Sequence, residues 1–268
     1  MFILMRTFIL FFFLIYSCSV SAQTFMNLHL SNGSVMQYQL SAIDSITYST
    51  SVVGCSGGPS TLTDIDGNIY HVITIGNQCW MKENLKTTHY KNGTFIPNGF
   101  NNAAWAGLGF GAYAEVNNDI ANTAVFGKLY NWYAVNDIAG LCPANWHVPS
   151  DSEWNQLVKF IDPFADTTCI SCSQSPTAGG AMKEIGLSHW TGSNIGATNT
   201  SGFTALPAGR RESAGTYGAW FGYLGYWWTS SSASSTTGYY RNLDASNSSV
   251  YRYSNTKTTG MAVRCVKD

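Results

Sequence analysis

Few residues in this chain are able to do chemistry, and their spacing limits what that chemistry is. Cys169-Ile170-Ser171-Cys172 is the sharpest motif. A CxxC pair is redox-active when it opens a helix and one thiol is acidified, and it supplies half of a four-cysteine zinc site. Here Thr and Ser flank it, Pro176 follows, and no βαβ pattern surrounds it, so a structural loop disulfide is preferred over redox or metal use. His29, His71, His89, His147 and His189 are dispersed, none at HxH or HxxxH spacing, which supports no local metal site. Asp64, Asp66 and Asn68 have the spacing that starts an EF-hand loop, but Ile75 stands where the loop requires Glu. A turn is the better reading. No GxSxG elbow occurs, and paired catalytic carboxylates would have to come from only 15 acidic residues, many placed for turns or caps.

The denser signal is aromatic. From Tyr217 to Tyr253, tyrosines and tryptophans are interleaved with Gly and Ser, and Arg210, Arg211, Arg241 and Arg252 stand among or beside them. Flat rings stack on sugar faces while Arg and Asn bond hydroxyls, a mixture also used in protein recognition. The same rings fill cores: Trp227 and Trp228 must point to opposite sides of a strand, so at least one packs inside. Trp220, Tyr223, Tyr239 and Arg241 are the expected ligand contacts, because flanking Gly and Ser keep the approach open. No metal and no cofactor is expected.

These side chains need elements to hold them. "NWHVPSDSEW" (145–154) reads as a helix entry, with Ser150 as N-cap, Glu153 completing a capping box and Asp151 favoured by the helix dipole. Trp154, Leu157, Val158 and Ile161 form one apolar stripe, and Asp162-Pro163 ends it. That helix is scaffolding, its Glu153 occupied by capping. "GKLYNWYAVND" (127–137) is expected to be a second helix, with Leu129, Trp132 and Tyr133 on one face. "TDIDGNIYHVITIG" is a hairpin turning at Asp66-Gly67, and from "GFTALPAG" onward short aromatic strands alternate with Gly/Ser turns. Two main helices with many short antiparallel strands indicate an α+β domain.

The organisation is read as a leader (1–22), a small β unit (23–50) turning at Ser31-Asn32-Gly33, a linker (51–61) and one main domain (62–268). Arg6, the apolar run 8–16 and Val20-Ser21-Ala22 make a signal peptide whose apolar run is too short for a membrane span. A lipidated Cys18 is the less favoured alternative. Cleavage removes Arg6, so 14 basic residues become 13 against 15 acidic ones, 13 − 15 = −2. Only 11% of the chain is charged and no basic cluster exists, which argues against nucleic acid. Of seven cysteines, Cys18 lies in the leader, leaving an even set suited to disulfides in an exported chain. Met261, Val263 and Cys265 share the buried face of the last strand, so the expected pairs are Cys142–Cys265, Cys55–Cys79 and Cys169–Cys172.

Several stretches together resemble one family. "DIDGNIYHVITIGNQCWMKENLKTTHY", "GKLYNWYAVND", "LCPANWHVPSDSEW", "GATNTSGFTALPAGRR", "YWWTSSS" and "VRCVKD" are similar to the Fibrobacter succinogenes major paralogous domain, FISUMP, in the family's order across about residues 62–268. The resemblance implies an exported, surface-associated bacterial protein. The N-terminal unit is similar, more loosely, to a β-segment of secreted Bacteroidetes proteins. "WHVPSDSEW" also resembles a block of the formylglycine-generating enzyme superfamily, whose fold is related to C-type lectins. This implies a lectin-like α+β domain with irregular loops forming the binding face. It does not imply the enzyme, since the close pair of late cysteines is missing, nor calcium-dependent sugar binding, since the "EPN" and "WND" signatures are absent. The expected function is non-enzymatic recognition or adhesion toward glycans or other envelope proteins. A polysaccharide-acting hydrolase and a structural envelope component are the alternatives.

Overall fold

The computed structural model describes residues 25–29, 34–39, 55, 58–218 and 220–268. The leader with Cys18, the turn at 31–33 and the segment 41–50 lie outside the described residues. The chain divides into two units, Met1–Ser51 and Val52–Asp268. In the first, strands β1 (Phe25–His29) and β2 (Val35–Gln39) pair antiparallel, with Phe25 opposite Gln39 and His29 opposite Val35. Cys55 and Thr61, expected in the linker, belong to the second unit. Cys55 is buried and Thr61 lies opposite His71 in a strand pair.

That second unit opens with β3 (Thr61–Thr63), β4 (Ile69–Ile75) and β5 (Gln78–Met81). The β3–β4 turn forms because Asp64 Oδ1 accepts from the backbone N–H of Asp66 and Asn68, while Oδ2 takes the Tyr70 hydroxyl at 2.6 Å. Gly67 supplies the left-handed residue at φ 83°. Then come α1 (Asn102–Ala106), β6 (Tyr113–Glu115), α2 (Thr123–Phe126), β7 (Lys128–Tyr130), α3 (Trp132–Val135), β8 (Trp146–His147) and α4 (Asp151–Ile161). The chain continues through β9 (Cys172–Ser175), α5 (Ala178–Met182), β10 (Leu224–Ser232), β11 (Thr237–Asp244), β12 (Val250–Thr256) and β13 (Val266–Lys267). One sheet runs β3-β4-β5-β13-β8, another β10-β11-β12-β9, and β6 pairs with β7. All these strand pairs are antiparallel. The fold is α+β.

The helix α4 has the ends its sequence demands. Ser150 Oγ accepts from the Glu153 N–H, Glu153 returns a bond to the Ser150 N–H at 2.7 Å, and Trp154, Leu157 and Val158 are buried. The expected second helix is not there. Its first part is β7, buried on both faces and paired to β6, and only the four residues of α3 turn helically. Asn131 makes the break: its Oδ1 accepts from Ala112 N and Ala134 N, tying the end of β7 to one chain segment and capping α3.

Trp227 and Trp228 are both 0% exposed. They lie on opposite faces of β10, Trp227 with Trp80, Trp154 and Phe203 in one core, Trp228 with Tyr130, Tyr240 and Met261 in the other. The segment from Met261 to Val266 is buried throughout, Arg264 included, as it passes between these cores. Cys142–Cys265 closes 123 residues of chain beside it; Cys55–Cys79 and Cys169–Cys172 are the other disulfides.

Candidate binding site

The four residues expected to meet a ligand do not come together. Trp220 is 39% exposed and Tyr223 47%. Arg241 is 0% exposed, and this corrects its placement as a surface contact. Its Nη1 donates to Asp151 Oδ1 at 2.8 Å and its Nη2 to Asn155 Oδ1 at 2.8 Å, tying β11 to α4, while its Nε is buried without a partner. Burial pulls the Arg241 pKa down to about 10, against the opposing attraction of Asp151. Tyr239 lies on the same sheet face as Arg241 and is half-buried under the Arg252 guanidinium, 4.5 Å from its ring. It is therefore separated from Trp220, which stands on the opposite side.

What does come together is a row of rings on the face of Tyr240. Gly209, at φ 63°, turns the chain beside β10, and its N–H donates to Leu224 O. The next residue, Arg210, then lies over the Tyr226 ring at 4.7 Å and the Trp220 ring at 5.8 Å. Glu212 Oε1 accepts from both Arg210 Nε and Trp220 Nε1, each at 2.8 Å, and so holds the indole and the guanidinium in one bracket. The row continues by ring contacts through Tyr240, Tyr253 and Tyr251, with successive centroids 5.8 to 6.0 Å apart. Register explains it: Tyr240 lies opposite Tyr253 and Asn242 opposite Tyr251, so tyrosines of three strands share a face.

The electrostatics of this face favour hydrogen-bonding groups that stay in one protonation state. Burial raises the Tyr226 and Tyr240 hydroxyl pKa values despite the nearby Arg210 charge, so both remain neutral donors. Burial would lower that of Arg210, but the Glu212 bond outweighs it and the guanidinium stays charged. The exposed indole and the Glu212-paired guanidinium beside it suit a polar, uncharged ligand. The family model of the Fibrobacter succinogenes major domain matches residues 73–267, which includes this whole face. The chain belongs to this family. No curated protein and no solved structure matches it.

Elsewhere in this major domain, the chemistry-bearing side chains are committed to one another. His71 bonds Glu83, His89 bonds Asp66, His189 bonds Glu184, and His147 bonds both Glu153 and Asp268. Asp162 accepts from the Ser175 and Thr177 hydroxyls. Among the described residues, no group of three His, Cys, Asp or Glu side chains could hold a metal ion. Cys169 and Cys172 join at the edge of the four-stranded sheet, where Cys169 O accepts from Arg252 Nη1. Among the described residues no helix is long and apolar enough to cross a membrane.

Sequence reasoning noted Arg210 beside the rings but chose neither it nor Glu212 as a ligand contact. A signal was present: in an extended segment, residues two apart share a side, so Arg210 and Glu212 face one way and Arg211 the other. Alternation likewise groups Tyr251 with Tyr253 within β12, but only the register joins them to Tyr226 and Tyr240.

Proposed function

We propose that this protein is a non-enzymatic recognition module, exported to the cell surface, that binds neutral carbohydrate through the face of Trp220, Arg210, Tyr253 and Tyr251. The observation that carries this reading is the Trp220 bracket. A large indole is kept substantially exposed while its N–H is satisfied by Glu212 and Arg210 lies beside it. A ring fixed in advance loses little freedom when a sugar stacks on it, which favours binding. Tyr226 and Tyr240 are buried and support this surface from beneath, while the half-buried Tyr251 and Tyr253 of β12 extend it.

The lectin-like fold relationship belongs to the same reading. It rests on the resemblance of the "WHVPSDSEW" block, which forms β8 and then the capped start of α4. Export is supported by three disulfides, which persist in oxidising compartments. The carboxylates that a hydrolase reading needs are engaged by turns, caps and arginines, which favours recognition over catalysis.

The test is an array of neutral oligosaccharides and insoluble polysaccharides probed with the folded protein and with Trp220→Ala. Product analysis runs on the same samples. Retention by wild type alone, with no shortened products, supports the module. Shortened products would replace it with the hydrolase.

A further inference from the structure

Arg211 points away from the ring row, and its surroundings differ from those of its neighbour. It is 4% exposed, with its guanidinium 4.3 Å from the Trp105 ring and 5.3 Å from that of Tyr217. Nε donates to Gly215 O at 2.8 Å and Nη2 to Phe100 O at 2.7 Å. Nη1 makes no hydrogen bond to a described residue, and no described carboxylate pairs with Arg211. Arg210 has Glu212, and Arg241 and Arg252 share Asp151. A buried charge without a counter-ion is costly, and burial indeed lowers the Arg211 pKa.

This arginine lines two cavities, of about 520 and 310 Å³, that share Phe100, Asn101 and Asn118. The larger falls within the ~300–1,000 Å³ range of small-ligand sites. Their rims are rich in amides. Asn98 Nδ2 is taken by the Tyr113 hydroxyl and Asn101 Oδ1 by the Ala104 N–H, leaving Asn98 Oδ1 and Asn101 Nδ2 open. The side chains of Asn102 and Asn118 bond no described residue. Tyr217 has a buried hydroxyl without a well-formed hydrogen bond, although the Asn118 backbone N–H lies beside it. Glu115 also lines the smaller cavity, but Lys128 Nζ and the Thr123 hydroxyl hold its two oxygens. The local balance is Arg211 plus Lys128 less Glu115, one positive charge.

We propose that this cleft binds a sugar acid, its carboxylate on Arg211 and its hydroxyls on the asparagine rim. One fixed positive charge selects one carboxylate. Amides that both donate and accept suit hydroxyls, and the Phe100 and Tyr217 rings offer apolar walls for a pyranose. The site is distinct from the Trp220 face, because Arg210 and Arg211 project to opposite sides of their segment.

The experiment is calorimetric titration of the whole protein with glucuronate, with glucose, and with an acetylated Asp-Glu dipeptide. Wild type should bind glucuronate at least tenfold tighter than either competitor. Asn118→Asp puts a negative charge on the exposed rim at φ 56°, a conformation that Asp accepts, so folding should survive. It should weaken glucuronate at least tenfold, and Arg211→Gln should abolish binding if it folds. Trp220→Ala should leave glucuronate binding unchanged, which separates this site from the neutral-sugar face. Equal binding of glucose and glucuronate, no glucuronate binding, preference for the dipeptide, or an unaffected Asn118→Asp would each overturn the proposal.

Discussion

Asp151 and Arg241 are 90 residues apart in sequence and joined by a 2.8 Å bond from Nη1 to Oδ1 in the interior. Arg252 adds bonds to both oxygens of the same carboxylate, at 3.0 and 2.6 Å. One acid thus pairs with two buried arginines, leaving one net positive charge, and locks the first turn of α4 onto β11 and β12. Asp151→Ala should cost about 3–5 kcal/mol, because removing one partner of a buried pair strands the other charge. Urea unfolding measures it, and a loss below ~1 kcal/mol would show that the arginines reach water.

Two neighbouring residues of α4, Trp154 and Glu153, should separate by role. Trp154→Ala removes a ring packed 5.1 Å from Trp80 and should cost about 3–5 kcal/mol. Glu153→Ala removes one half of a capping box and should cost about 1 kcal/mol. Equal losses in thermal or urea unfolding would contradict this division.

His147 should make stability depend on pH above 6.5. Burial lowers its pKa, but hydrogen bonds and attraction from Asp268 and Glu153 outweigh that and raise it above 6.5. A raised folded pKa means the stabilisation is full below 6.5 and is lost as pH rises through the folded value. The side chain is 41% exposed, so screening keeps the effect small. NMR titration of the imidazole gives the folded value. The stability gap between wild type and His147→Gln should shrink from pH 6 to pH 8.5, and a constant gap would be the contrary result.

Gly218 sets the Trp220 ring. A Cβ at this position would stand 2.3 Å from Trp220 Nε1, so the indole must move and its bond to Glu212 must break. Gly218→Ala should keep the fold, shift the indole fluorescence, and weaken any ligand of this face. An unchanged spectrum and affinity would show that the bracket does not position the ring.

How much of this was legible depended on whether the deciding partner was local. The α4 ends were, because Ser150 and Glu153 sit three residues apart. The β3–β4 turn was, because Asp64, Asp66 and Gly67 carry its bonds. The stretch 127–137 was misread because Leu129, Trp132 and Tyr133 match helical spacing, whereas β7 is buried on both faces and shows no strand alternation. Arg241 was misread for a related reason. Alternation put it on one face with Tyr239, but only Asp151, far away in sequence, decides that this face is interior. The binding face had the reverse fate: its tyrosines were visible as a cluster, yet Arg210 and Glu212 gain meaning only once Trp220 is folded onto them.

The Trp220 face should recognise neutral carbohydrate without a metal. The most direct test is isothermal titration with the best neutral oligosaccharide from the array, using wild type and Trp220→Ala, each with and without EDTA. The ring is largely peripheral, so the variant should fold with a melting temperature close to wild type. Wild-type binding should be unchanged by EDTA and little changed by salt, since hydroxyl recognition screens no ion pair. Trp220→Ala should lose at least tenfold in affinity. Full affinity in the folded variant, or loss of wild-type binding in EDTA, would rule out a metal-free site at Trp220.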